Sequence, residues 1–89
     1  MPAIHLLIRG KVQGVYYRAS AKEMADTLGV KGWVRNTSEG DVEIVASGEP
    51  YQLRDFTEWC HRGPVAAKVK EVIITETDTP DCDGFAVLR

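Results

Sequence analysis

Hydrophobic residues along the chain recur with two different periods, and the alternation between them lays out the elements. Ile4-His5-Leu6-Leu7-Ile8-Arg9 is a short apolar run stopped by Gly10, and it reads as a buried first strand. From Arg18 to Leu28 the period changes: Ala21, Met24, Ala25 and Leu28 stand at i, i+3, i+4 and i+7, one apolar stripe of a helix that Gly29 closes. Ser20 and Glu23 have the spacing of a capping box, which predicts a helix start between Arg18 and Ser20. Val30 to Asn36 and Asp41 to Ser47 flank the turn residues Thr37-Ser38-Glu39-Gly40, the pattern of a hairpin. Pro50 suits the first turn of a second helix, with Leu53, Phe56, Trp59 and Cys60 on one face and Gly63-Pro64 as the stop. Ala67 to Thr77, rich in valine, isoleucine and threonine, predicts a further strand. Phe85 to Leu88 predicts a brief closing strand after the polar turn Thr79 to Gly84.

This order predicts an α+β fold. Two split βαβ halves give a ferredoxin-like βαββαβ sandwich, an antiparallel sheet of four to five strands with both helices on one face. At 89 residues the chain is expected to form a single domain over 1–89 with one core, so an active site has to lie on the edge of that core. The fold by itself settles no function, since it hosts enzymes, RNA-binding modules and regulatory domains.

Composition narrows the classes. A hydrophobic fraction of 44% with 27% charged residues is that of an ordinary globular protein and excludes wholesale disorder. No apolar run reaches the length of a membrane span, and the start Met1-Pro2-Ala3-Ile4-His5 lacks a basic segment followed by an apolar one, so a cytoplasmic location is expected. A formal net charge of −2, with scattered cations, argues against a broad nucleic-acid footprint. Cys60 and Cys82 share no CxxC spacing; neither zinc nor a redox motif is expected, and two reduced thiols are.

The chemistry concentrates between the first strand and the first helix, in Gly10-Lys11-Val12-Gln13-Gly14-Val15-Tyr16-Tyr17-Arg18. Two glycines four residues apart let the backbone curl so that successive amide N–H groups converge on an anion. The following helix adds its positive end and unpaired first-turn donors, and Arg18 adds a planar fork matched to phosphate oxygens. The same composition also suits a tight turn followed by a solvated arginine. Neither a Walker A loop nor a GxGxxG fingerprint is present, which disfavours nucleoside triphosphates and NAD. Of Tyr16 and Tyr17, one reads as a core ring and the other as a rim ring, rather than either as a catalytic acid. Asn36 closes the second strand, at an end that the sandwich shares with the first loop. Its amide can accept a hydrogen bond from water and donate one to an oxyanion, although asparagine is equally at home as a turn residue there.

Other chemistry is thin. His5 and His61 have no obvious partner for base catalysis, and Asp41, Glu43, Asp81 and Asp83 read as solvated faces rather than a metal site. Ser20, Ser38 and Ser47 lack a nucleophile-elbow context.

The stretch Gly10 to Arg18 resembles the acylphosphatase signature, a G-R/K-V-Q-G-V loop followed by two variable or aromatic residues and an arginine. Gly32-Trp33-Val34-Arg35-Asn36-Thr37 followed by Gly40 resembles the family's second block. Gly63-Pro64 with Val69, and Gly84-Phe85, are similar to its later segments. The resemblance implies hydrolysis of the carboxyl–phosphate bond of acyl phosphates to a carboxylate and inorganic phosphate, without metal or organic cofactor. Carried over by position, it implies that Arg18 and the amides of Gln13, Gly14, Val15, Tyr16, Tyr17 and Arg18 bind the phosphoryl group. Asn36 would then hold the attacking water, and a phosphate oxygen of the substrate would take its proton. The partners it implies are a small-molecule acyl phosphate and inorganic phosphate as product and competitive ligand, with no nucleic acid, no membrane and a monomeric protein. Lys11, Tyr17 and Arg89 depart from commoner choices without removing a catalytic group, and Glu39 adds a carboxylate near the expected entrance. A non-catalytic anion-binding regulatory module of the same fold is the alternative. An RNA-binding sandwich is weaker, because Lys31 to Asn36 lacks the aromatics of that surface.

Overall fold

A computed structural model of the chain describes residues 2–88, so that Arg89 lies outside the described residues. The elements run β1 (Ala3–Lys11), α1 (Tyr17–Leu28), β2 (Lys31–Asn36), β3 (Val42–Ser47), α2 (Pro50–Arg62), β4 (Lys68–Glu76) and β5 (Phe85–Val87). They form one five-stranded sheet in the order β4-β1-β3-β2-β5. Period-2 alternation sends Leu6, Ile8, Val34, Val42, Ile44 and Ala46 to one face, where each is fully buried. Ala21 and Ala25 of α1 and Leu53, Phe56 and Cys60 of α2 close over them in a single hydrophobic cluster, so both helices cover that face. Burial of a side chain such as Phe56 contributes about 1.5–3 kcal/mol.

The sheet is mixed rather than wholly antiparallel, because β5 pairs parallel to β2, Gly32 opposite Phe85 and Val34 opposite Val87. Strand direction explains this. β4 is antiparallel to β1, so it ends at the sheet edge where β1 and β2 begin. The connection 77–84 crosses four strand spacings of about 4.8 Å along that edge, within reach of an extended segment of its length, and β5 then has to run the way β2 runs.

Two boundaries differ from the sequence expectation. β1 continues through Gly10 to Lys11 across an irregularity at Arg9/Gly10, because β4 keeps pairing as far as Lys68. The helix α1 starts at Tyr17, and Ser20 lies inside it with its N–H donated to the Tyr16 carbonyl, so no cap forms at Ser20. The capping interaction stands instead at α2, where Gln52 Oε1 accepts from the Glu49 N–H at 2.7 Å. The same amide donates to the Leu28 carbonyl at 2.9 Å and ties the start of α2 to the end of α1.

The open face carries charge. His5 does have a partner: its Nε2–H donates to Glu43 Oε2 at 2.7 Å, and Glu43 also accepts from Arg35 Nε. Arg35 lies over the Trp33 ring, 5.4 Å from its centroid. Glu43 is therefore a half-buried hub and not a solvated carboxylate. The His5 hydrogen bond, followed by that from Arg35, holds its carboxyl below the ordinary value of 4.5, against the opposing pull of burial. A carboxylate with a lowered folded pKa stabilises fully above its unfolded value, and the stabilisation fades as pH falls through the folded value. Glu43→Gln is expected to be less stable than the parent at neutral pH. Its denaturant midpoint should also decline less between pH 5 and pH 3, which urea titrations across that window would check.

Candidate active site

β3 runs antiparallel to both β1 and β2, so the C-terminal ends of β1 and β2 lie at the same end of the sheet. Ile8, Val42 and Asn36 stand opposite one another in one cross-strand row. Directly paired residues share a face, so the Asn36 side chain projects to the helix-covered side beside the start of α1. Val87 of β5 reaches the same end, and the Leu88 N–H donates to the Val34 carbonyl at 2.8 Å. A cleft of about 780 Å³ opens there, lined by Gly14, Tyr16, Arg18 and Asn36, with Val12 and Val87 as apolar walls.

The segment between β1 and α1 curls as its glycine requires. Gly14 has φ 73° and Tyr16 φ 64°, both left-handed, with Val15 between them on negative φ. Alternation of this kind turns consecutive N–H groups toward a common point. No described side chain or carbonyl accepts from the N–H groups of Gln13 through Arg18. Those of Tyr17 and Arg18 are also first-turn donors of α1, and no side chain caps that end. Six successive backbone donors thus lack a protein partner among the described residues, and four of them belong to residues that line the cleft, Gly14, Tyr16, Tyr17 and Arg18.

Side chains hold this curl from both sides. Val12 and Val15 are buried in the core. Tyr17 is buried as the core ring, its hydroxyl donating to the Cys60 carbonyl at 2.7 Å, while Tyr16 is the rim ring at 82% exposure. Gln13 Nε2 donates to the carbonyls of Thr37 (2.9 Å) and Asp41 (2.8 Å), fastening the loop to the hairpin immediately after Asn36. This clamp was not foreseen from sequence. The Thr37 N–H bonded to the Asp41 carbonyl at 2.9 Å closes the hairpin turn that Gln13 grips. Arg18 Nη1 donates to the Leu88 carbonyl at 3.0 Å, which orients the guanidinium and leaves its other donors for a ligand.

The structure thus brings Gly14, Tyr16, Tyr17, Arg18 and Asn36 to one cleft, whereas Gln13 and Val15 are not among its lining residues. The Asn36 amide makes no hydrogen bond to another described residue. Glu39 does not line the cleft; its carboxylate accepts from Ser38 Oγ at 2.7 Å. No described histidine, cysteine or carboxylate lines it either. Burial pushes the Tyr17 phenol far above its ordinary range, and burial pushes the Cys60 thiol up to about 12, so both stay protonated and out of acid–base chemistry. Cys60 and Cys82 are unpaired.

The acylphosphatase family model matches residues 4–87. The acylphosphatase of Marinobacter nauticus is 61% identical over 72 residues, covering 81% of this chain and 78% of that one. The solved acylphosphatase of Coxiella burnetii superposes with a TM-score of 0.93 at 42% identity, over 98% of this chain and 92% of that one. That of Bacillus subtilis superposes at 0.95 and 31% identity over the full length of both. With the family's model spanning the fold and the cleft alike, the chain belongs to the acylphosphatase family.

Proposed function

We propose that the cleft hydrolyses acyl phosphates by in-line attack of a water held by Asn36 on a phosphoryl group bound by Arg18 and the amides of Gln13 to Arg18. The observation that carries this reading is the run of six unpartnered N–H groups curled beside Arg18, with an unpaired Asn36 amide across the same cleft. An oxygen-rich anion satisfies those donors together, and the end of α1 adds its dipole. The Asn36 carboxamide oxygen accepts a hydrogen bond from the water and turns its lone pair toward phosphorus. The water oxygen bonds to phosphorus as the bond to the acyl oxygen breaks. The carboxylate departs with the bonding electrons, and a phosphoryl oxygen takes the water's proton. A loose phosphoryl-transfer transition state needs charge stabilisation and alignment more than a strong base, and the acyl carboxylate is already a good leaving group.

Inorganic phosphate, the product, fits the same donors and acts as a competitive ligand. We read the chain as a single catalytic domain that works as a monomer, since one copy supplies every group of the cleft. A cytoplasmic setting suits its two unpaired thiols, and we assign no role for metal, nucleic acid or membrane.

Purified protein is expected to hydrolyse benzoyl phosphate in the presence of EDTA, followed by loss of substrate absorbance. A rate no higher than the spontaneous one would leave only an anion-binding module. Arg18→Ala should lose both phosphate inhibition and turnover, whereas Asn36→Ala should keep phosphate inhibition and lose about 10²–10³ in kcat. Near-normal turnover in Asn36→Ala would remove Asn36 from the water site. Gln13→Met keeps the backbone N–H and removes both clamp bonds. Because small misplacements of aligned groups are costly, about a tenfold fall in kcat is expected, with a much smaller change in phosphate inhibition, as steady-state kinetics with added phosphate would show.

A further inference from the structure

Tyr16 breaks two local preferences at once. It is the sole non-glycine residue with positive φ among the described residues, at φ 64°, ψ 23°. That conformation is open to glycine and tolerated by asparagine but is an outlier for a bulky side chain. It also occupies the N-cap of α1, where serine, asparagine, aspartate or glycine would satisfy a first-turn donor, and its side chain makes no capping bond. The curl of the loop uses the left-handed backbone, but nothing in the fold calls for a tyrosine side chain to adopt it. The ring is 82% exposed, and no hydrogen bond or ring contact joins it to another described residue. Its neighbour Tyr17 is the ring that holds the structure, tilted against Trp59 with centroids 5.3 Å apart and bonded to the Cys60 carbonyl. Residues that violate local rules without a structural return cluster at functional sites.

Tyr16 is one of the residues that line the cleft, and its side chain is open to solvent there. In the reading above, the phosphoryl group occupies the amides, Arg18 and Asn36. What is left of the lining with exposed surface for the acyl half is Ala19, Val87 and Tyr16. Val87 is itself 39% exposed, an aliphatic surface available at the mouth of the cleft. We propose that the Tyr16 side chain is the platform for the acyl group, and that it selects flat aromatic acyl phosphates over small aliphatic ones. The inference rests on the functional reading above and adds to it the acyl specificity that a phosphate grip alone cannot provide. Offset stacking of an aromatic acyl group on the ring is geometrically available because the ring has no partner of its own.

The test compares kcat/KM for benzoyl phosphate and acetyl phosphate in the parent, Tyr16→Phe and Tyr16→Asn. Asparagine keeps the backbone N–H and accepts the left-handed conformation, so the variant removes the ring and leaves the curl intact. Taking the benzoyl-to-acetyl ratio of each variant against that of the parent cancels the differing reactivity of the two substrates and any common loss of rate. The ratio is expected to fall about five- to tenfold in Tyr16→Asn, the size of a lost aromatic contact, and to stay within about twofold in Tyr16→Phe, which keeps the π face. The melting temperature of Tyr16→Asn is expected to equal or exceed that of the parent. A ratio unchanged in Tyr16→Asn overturns the proposal, and so does an equal fall in Tyr16→Phe, which would assign the effect to the hydroxyl. Absence of turnover of either substrate by the parent would instead bring down the functional reading itself, and this inference with it.

Discussion

The hydrogen bond from the Tyr17 phenol to the Cys60 carbonyl is the tie on which the curl of the proposed anion cradle depends. It joins the first residue of α1 to the last turn of α2 inside the core, and the ring sits against Gly63, where an added Cβ would lie 2.8 Å from its edge. Gly63 combines that contact with φ 67°, so this seat for the ring admits no side chain. With Tyr17 fixed at one end of the loop and the Gln13 amide fixed at the other, the residues between have little freedom left. Their N–H groups are unpaired because the loop is held, not because it is loose. A flexible loop would be free to turn its donors to its own carbonyls. Preorganisation of that kind makes electrostatic stabilisation effective, since no reorganisation remains to be done when charge develops.

Topology then decides what the cradle faces. With β3 antiparallel to β1 and β2, and β5 parallel to β2, three strands end together where α1 begins. The first delivers the loop, the second delivers Asn36, and the third delivers the carbonyl that steadies Arg18. The outer strand is thus part of the site as well as a cover for the edge of β2.

Much of this was legible in the sequence, for reasons that differ by element. The helices and strands showed themselves because burial on a single sheet face imposes periods of 3.6 and 2, and Ala21, Ala25, Phe56 and Ile44 keep those periods. The cradle was legible because Gly14 and the helix behind it have local backbone consequences. What escaped depended on contacts between residues far apart in sequence. Gln13 looked like an ordinary loop residue, and nothing local says that its amide reaches Thr37 and Asp41. His5 looked unpartnered because Glu43 is its neighbour only through the register of β1 with β3. The Ser20–Glu23 spacing misled because Tyr17, drawn into the core, starts the helix a turn earlier than capping preference suggests. The direction of β5 followed from where β4 ends, which no property of Phe85 to Val87 reveals.

A net charge of −2 is an unpromising start for a protein that binds anions, and the sheet itself resolves the difficulty. The carboxylates nearest Asn36 in sequence are Glu39, Asp41 and Glu43. Glu39 turns to Ser38, Asp41 lies 3.7 Å from Arg9, and Glu43 is held by His5 and Arg35. Strand alternation puts Glu43 on the face opposite Asn36, so the two-residue period that sends Asn36 into the cleft keeps this charge out of it. The cleft is left with one cation, one neutral amide and a row of backbone dipoles. On the proposed reading, such a site attracts phosphate through local arrangement and not through overall charge. It also lacks a strong base, and an acyl phosphate, whose leaving group is a carboxylate, is a substrate that does not demand one.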